Sequence, residues 1–229
     1  MRLSIIIPTF NEKGNIIKMI GKIQRLIQTH DYEIIIVDDD SSDKTGETVQ
    51  KKYSRSTRIR CIIRKQDRSL GKSILLGLEK SRGKIIVGMD ADGNHNPKIL
   101  PELLNNLSNY DMIVCSRYVK GGGMQNRYRY WTSLSLNFFL KILLKSKIHD
   151  LTSGYYIIKR GALMKLPLKK IYYGYGDYFI RLIYYAQEKK LLISEKPDYF
   201  PERWSGKSKS RLGQMILSYI LTGFKLRLT

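Results

Sequence analysis

A regular alternation in the first hundred residues constrains this chain more than any other feature. Short β-branched runs, RLSIIIP, YEIIIVDD, TRIRCIIR and KIIVGMD, are separated by the helical patterns EKGNIIKMIGKIQRLIQ, SDKTGETVQKKY and GKSILLGLEKSR. Strands that read as continuous Ile and Val are covered on both faces, and helical connections permit parallel neighbours. The pattern implies an α/β fold, with a Rossmann-like, mainly parallel sheet flanked by helices. Ligands of such sheets bind beyond the carboxyl ends of the strands. Three of those ends carry acids or other polar residues: PTFNE at 8–12, VDDDSSD at 37–43 and DAD at 90–92. They are expected to converge on one crevice.

At 229 residues the chain suffices for one sizeable core, and nothing demands a second domain. Its 41 Lys+Arg against 20 Asp+Glu give a net charge of +21. That charge favours anionic partners (phosphates, nucleic acid or acidic lipid surfaces) without choosing among them. Cys61 and Cys115 lie in apolar runs without CxxC spacing, so they read as small buried residues of a reducing compartment. Met1 is followed at once by strand-like LSIIIP rather than a secretory leader, which predicts a cytoplasmic location. No window reaches the roughly 20 apolar residues of a membrane span. Contact with a membrane is therefore expected from one side.

The second half differs in texture. SRYVKGGGMQNRYRYW is a Gly- and Arg-rich loop suited to binding. In the helical pattern that follows, Arg129, Ser133, Asn137, Lys141 and Lys145 fall four apart on one stripe, and most of the rest is apolar. Further helix is expected from ALMKL to GYGDYFIRLIYYAQEKKL, one strand in LISEKPDYF and a basic loop in PERWSGKSKSR. The tail, SRLGQMILSYILTGFKLRLT, confines Arg211, Gln214, Ser218, Thr222 and Lys225 to a narrow stripe. Such a helix suits either a membrane interface or the protein's own core. Residues 1–209 are read as the main domain and 210–229 as an amphipathic C-terminal helix.

Residues two apart in an extended segment point the same way, so Asp90 and Asp92 can both face the crevice. Two hard oxygen donors suit Mg²⁺ or Mn²⁺, with diphosphate oxygens and water completing the shell, and Asn94 is placed to add a carbonyl oxygen. The competing reading is a turn stabilised by Asp and Asn. Asn11 or Glu12 is expected to start the first helix, and Ser42 or Asp43 to cap the second. Acids on a crevice floor can alternatively bond a nucleobase or ribose. SLGKS is no phosphate-binding P-loop, because Gln66 stands where its first glycine is required. His30, His95 and His149 show no metal or triad spacing; His95, beside DAD, is the one with a functional reading.

The ordered set IIIPTFNE, VDDDSSDKT, RSLGKS, MDADGNHNP, SRYVKGG, DLTSGYY, GYGDYFIRL and RWSGKSK resembles the family 2 glycosyltransferases of GT-A fold over about residues 3–212. Within them it is most similar to the dolichol-phosphate mannosyltransferases and other polyprenyl-phosphate glycosyltransferases. The resemblance implies an inverting transfer of a hexose, mannose from GDP-mannose or a sugar from a UDP donor, to a polyprenyl or dolichyl phosphate. It assigns Pro8, Thr9, Glu12, Asp38 and Asp39 to the nucleoside, Asp90, Asp92 and Asn94 to the divalent metal and diphosphate, and Arg117 and Arg203 to the phosphate region. Asp92, Arg117 and Arg203 are thereby the expected catalytic group. Arg117, Arg129 and Ser133 match positions that receive the lipid phosphate, and Ser208 and donor-binding Lys209 match the closing basic loop.

The implied partners are the nucleotide sugar, the polyprenyl phosphate, a membrane surface to which the chain attaches peripherally and a membrane-embedded partner protein. Specific nucleic-acid binding is not expected, since it explains neither the acidic strand ends nor the apolar tail. The chain departs from the family pattern in three places: Asn94 replaces Gln, Leu151 replaces Pro with an expected loosening of the turn, and Arg181 stands where an acid is common. Were the acceptor instead a hydroxyl, a base would be required, and Asp177 is the candidate.

Overall fold

The computed structural model describes residues 2–206 and 212–228. Its first half contains β1 (Leu3–Thr9), α1 (Lys13–Leu26), β2 (Tyr32–Asp38), α2 (Thr45–Lys52), β3 (Ile59–Ile63), α3 (Leu70–Lys80), β4 (Ile85–Gly88), α4 (Leu100–Asn106) and β5 (Met112–Ser116). The second half contributes β6 (Gly123–Met124), α5 (Arg127–Leu143), β7 (Tyr156–Lys159), α6 (Arg160–Leu163), α7 (Leu168–Ile171), α8 (Tyr178–Glu188), β8 (Ile193–Pro197), β9 (Tyr199–Phe200) and α9 (Leu212–Leu228). The seven-stranded sheet has the order β3-β2-β1-β4-β7-β5-β8, and β6 pairs with β9 beside it. All pairings in the large sheet are parallel except those of β7, which opposes β4 and β5.

The pleat of β1 shows why its sequence is continuously apolar. Leu3, Ile5 and Ile7 pack on one side with Ile16, Met19, Ile20 and Ile23 of α1. Ile6 points to the other side, against Ile74 and Leu78 of α3. Each face of the sheet is thus closed by helices, and the only free direction for a ligand is past the strand ends.

The LISEKPDYF segment, expected as one strand, breaks at Asp198 into β8 and β9. Asp198 is buried and accepts backbone N–H bonds from Asn96 and Tyr199, which turns the chain from one sheet to the other. Cys115 is fully buried, whereas Cys61 is only half-buried on β3, not enclosed as expected.

The polar stripes of the last two long helices turn inward only in part: Arg129, Lys145, Gln214 and Lys225 are exposed. On α5, Asn137 is buried, while Tyr128, Trp131, Phe138 and Ile142 are exposed, Phe138 at 65 %. On α9, Thr222 is buried with Tyr219 and Leu226, while Leu217, Leu221, Phe224 and Leu228 point outward. The inner side of α9 rests on α5 and α8, with Gly223 set against Leu140 and Leu143. Phe139 and Phe224 meet edge to face at 6.1 Å between centroids, joining the two helices into one apolar exterior. One side of α9 thus packs on the protein's own core, while the other leaves apolar side chains exposed.

Candidate active site

The crevice begins where β1 and β2 end. Asn11 turns the chain at φ 54°, and its N–H donates to Ser41 Oγ at 2.8 Å, while Glu12 N–H donates to Thr45 Oγ1 at 2.9 Å. Glu12 occupies the position before α1 but makes no capping bond. Its carboxylate instead accepts from Asn15 Nδ2 at 2.7 Å and from Arg203 Nη2 at 2.6 Å. The cap position of α2 is Lys44, in left-handed backbone and without a side-chain cap bond, rather than Ser42 or Asp43; Asp43, one residue earlier, accepts the Thr45 N–H at 2.9 Å.

The adjacent acids Asp38 and Asp39 have separate environments. Asp38 is fully buried and accepts from Thr9 Oγ1 at 2.9 Å, Ser41 N at 2.9 Å and Ser41 Oγ at 2.6 Å, so it braces the strand ends. Asp39 faces the crevice, where it accepts from Ser73 Oγ and, at 3.1 Å, from Arg64 Nη1. Burial raises the Asp39 carboxyl above its ordinary value, against the opposing pull of Ser73 and Arg64.

Past β4 the Asp90–Asn94 turn is held from both sides. The backbone N–H of Asp90 donates to His95 Nδ1 at 2.9 Å, which leaves the proton on Nε2, 3.1 Å from the Ser153 carbonyl. His95 is buried and stacked on Tyr155 at 4.9 Å. This is the histidine that carried a functional reading in the sequence, and its ring holds the backbone beneath Asp90. Asp92 Oδ1 accepts from Asn94 N at 3.0 Å, and the Asp92 carbonyl accepts from Trp204 N at 2.9 Å. Gly93 has φ 94° and lies so close under the Trp204 indole that a Cβ would collide with the ring. Arg203 and Trp204 thereby lie over the turn, with Arg203 Nη2 3.8 Å from Asp92 Oδ2.

Pro8, Thr9, Glu12, Asp39, Asp90, Asp92, Asn94, Arg129 and Arg203 all line one crevice of about 880 Å³. Phe10, Arg68, Ser69, Ser73, Asn126, Tyr175 and Glu202 complete much of its wall. None of those seven was singled out from sequence, although Ser69 and Ser73 lie in the quoted RSLGKS. Asp38, Arg117 and Ser133 are not on the wall. Lys209, with Ser208, lies outside the described residues.

Arg117 is buried and engages Asp150 through Nε at 2.8 Å and Nη2 at 2.7 Å, with Thr152 Oγ1 at 2.8 Å. Burial opposes its charge, but the Asp150 carboxylate more than compensates and raises its pKa. Ser133 shares a hydrogen bond with the Tyr118 hydroxyl. Leu151, expected to loosen its turn, has the opposite effect: it is buried, and its N–H donates to Asn137 Oδ1 at 2.7 Å. Arg181 is also buried; it pairs with Asp177, donates to the Ile171 carbonyl at 2.9 Å and lies 3.7 Å from the Tyr173 ring centroid.

Among the described residues no three acidic, His or Cys side chains form a self-sufficient metal cage. The fit to a hard divalent cation is nonetheless good for a site shared with a diphosphate. Asp90 keeps 47 % of its side chain exposed towards the crevice, and Asp92 and Asn94 line the same wall. Partial desolvation at the crevice wall, with the nearby charges of Asp92 and Glu12, raises the Asp90 carboxyl above its ordinary value, against the opposing pull of His95 and Arg203. Crowded carboxylate oxygens of this kind are the donor type that Mg²⁺ and Mn²⁺ take.

Comparison with known proteins gives the family and the fold. Residues 4–166 match the family described as glycosyl transferase family 2. The chain is 31 % identical to the dolichol-phosphate mannosyltransferase of Pyrococcus furiosus, with 99 % of this chain and 64 % of that protein covered. It therefore spans less than two thirds of that relative's length. It is 33 % identical to the polyprenol monophosphomannose synthase of Mycolicibacterium smegmatis, covering 91 % of this chain and 80 % of the relative. Among solved structures, glucosyl-3-phosphoglycerate synthase from Mycobacterium tuberculosis, in complex with Mn²⁺, UDP and glucosyl-3-phosphoglycerate, superposes with a TM-score of 0.72 at 20 % identity, covering 98 % of this chain and 79 % of that one. That likeness establishes the GT-A-like fold.

Proposed function

The chain belongs to glycosyltransferase family 2 and is a glycosyltransferase, and from that premise we propose that it transfers a hexose from a nucleotide sugar to a polyprenyl phosphate. The favoured donor is GDP-mannose, and the favoured site of action is the cytoplasmic face of a membrane. The observation that carries this reading is a crevice joining three acidic strand ends to Arg203 and to Arg129, at the start of a helix with an apolar exterior. The names of the dolichol-, polyprenol- and undecaprenyl-phosphate mannosyltransferase relatives support the same sugar and lipid class.

A phosphate acceptor is largely ionised near neutral pH. Its oxygen attacks the anomeric carbon without surrendering a proton to the protein. The new carbon–oxygen bond forms opposite the diphosphate, the old one breaks, and its electron pair departs with the nucleoside diphosphate, inverting the centre. Arg129 holds the acceptor phosphate by charge, with Ser133 one turn further along α5. Arg117 acts as a positioning residue, since its guanidinium is committed to Asp150 and Thr152. Arg203 offsets charge that develops on the leaving diphosphate, and Glu12 aims it. Asp90, Asp92 and Asn94 would hold Mg²⁺ or Mn²⁺, which would supply further neutralisation of the diphosphate charge. Pro8, Thr9 and Asp39 face the nucleoside, with Asp38 bracing them from beneath.

A hydroxyl acceptor finds less support. Asp177, the candidate base, is buried, paired with Arg181 and bonded to Tyr175 N at 3.0 Å and Thr222 Oγ1 at 3.1 Å. It is not on the crevice wall. No helix among the described residues is long and apolar enough to cross a membrane. The apolar exteriors of α5 and α9 suit peripheral contact instead.

A thermal-shift series with Mn²⁺ and GDP-mannose, UDP-glucose or UDP-GlcNAc tests the donor, because a ligand that binds only the folded state raises its apparent stability. GDP-mannose is expected to give the largest shift. A larger shift with a UDP-sugar would reassign the donor, and no shift with any would contradict the reading.

A further inference from the structure

A second cavity, of about 500 Å³, has Gly93 of the Asp90–Asn94 turn in its wall and shares Pro201 with the crevice. Lys22, Arg25 and Lys98 line it together with Gly93, Tyr199 and Trp204, and no acidic residue does. Lys22 and Lys18 both approach the Trp204 ring, at 4.1 Å and 4.6 Å from its centroid. Among the described residues none of these four cations has an ion-pair partner within 4.0 Å. Partial burial and the charges of Lys18, Lys98 and Arg25 lower the pKa of Lys22, a sign of cationic crowding.

Attraction to the ring face accounts for Lys18 and Lys22, but it leaves Arg25 and Lys98 in the same cavity without a compensating charge among the described residues. The ring that Lys18 and Lys22 approach is the one seated on Gly93, and the Trp204 backbone N–H holds the Asp92 carbonyl. From this arrangement we infer that the cavity is a second anion site, which takes a phosphate group through Lys22, Arg25 and Lys98. An anion there draws the lysines and Trp204 together. It thereby stiffens the Arg203–Trp204 segment and the turn carrying Asp92. The phosphate belongs either to a soluble phosphate ester or to the headgroup of an anionic lipid, two sources with one recognition chemistry. This inference does not depend on the identity of the sugar donor.

Trp204 reports on its own cavity. The chain has two tryptophans, so Trp131→Phe leaves Trp204 as the sole indole. Titration of that variant with inorganic phosphate at constant ionic strength should change Trp204 emission saturably. Adding Lys22→Ala and Lys98→Ala should weaken half-saturation at least tenfold, whereas Arg68→Ala, on the crevice wall, should leave it unchanged. For the lipid source, co-sedimentation of the otherwise native chain with phosphatidylglycerol vesicles should fall several-fold in Lys22→Ala/Lys98→Ala, with binding to phosphatidylcholine vesicles unchanged. Loss in either arm supports the site and identifies the source. Overturning results are equal phosphate and vesicle binding by parent and double variant, or an emission change reproduced by chloride at the same ionic strength.

Discussion

Arg203 Nη2 lies 2.6 Å from Glu12 Oε1, a contact between residues 191 apart in the chain. The same guanidinium is 3.8 Å from Asp92 Oδ2, and the next residues are tied to α1 by Ser205 Oγ donating to Asn15 Oδ1 at 2.7 Å. Residues 203–205 are therefore latched to the start of α1 and over the acidic turn at once.

If Arg203 offsets charge that grows on the leaving diphosphate, its loss should appear mainly in kcat. Arg203→Ala is expected to lower kcat by about 10²–10³-fold at saturating donor, with Arg203→Lys recovering part of the activity. Steady-state kinetics of both variants check this. A rise in KM with unchanged kcat would instead show a purely ground-state contact.

The family pattern has Pro where this chain has Leu151, yet restoring it should be harmful here. Leu151→Pro removes the N–H that Asn137 Oδ1 accepts in a buried site. The orphaned oxygen should cost about 1–3 kcal/mol, measured by urea denaturation. In an Asn137→Ala background the same change should cost less, and equal costs in the two backgrounds would disprove the coupling.

Asp198 predicts a pH dependence of stability. Burial pushes its carboxyl from 3.8 up to about 6, while His95 and the two backbone N–H groups pull the other way. The folded chain thus holds this proton more tightly than the unfolded chain. Stability is unaffected below the unfolded value, falls as pH rises through the interval, and carries the full penalty above about 6. Asp198→Asn removes the titration and keeps an oxygen for Asn96 and Tyr199. Relative to this variant, the parent should lose on the order of 2–3 kcal/mol between acidic and neutral pH. Parallel stability curves from urea titrations across that range would contradict the assignment.

What could be read in advance depended on how local the determinant was. The Ile-rich strands and the acids at their ends announce themselves, because burial on both faces and chain turning are written within a few residues. Which of Asp38 and Asp39 meets the ligand is not written there, since successive side chains take different directions as the strand ends. His95 sits in a segment that reads as a polar turn, and is enclosed by Tyr155 and Phe200 from remote parts of the chain. The partner of Arg117 is 33 residues away. On α5 and α9 the polar stripes are plain from spacing, but periodicity does not say which side of a helix faces in. Asn137 and Thr222 show that here part of each stripe does.

The central claim is tested most directly by incubating the protein with labelled GDP-mannose, Mn²⁺ or Mg²⁺ and a polyprenyl phosphate in vesicles, then separating organic-soluble from aqueous products. The account predicts label in the lipid fraction, abolished by chelator and reduced at least 10²-fold by Asp92→Ala. Label only in aqueous products, or lipid labelling indifferent to both chelator and Asp92→Ala, would contradict it.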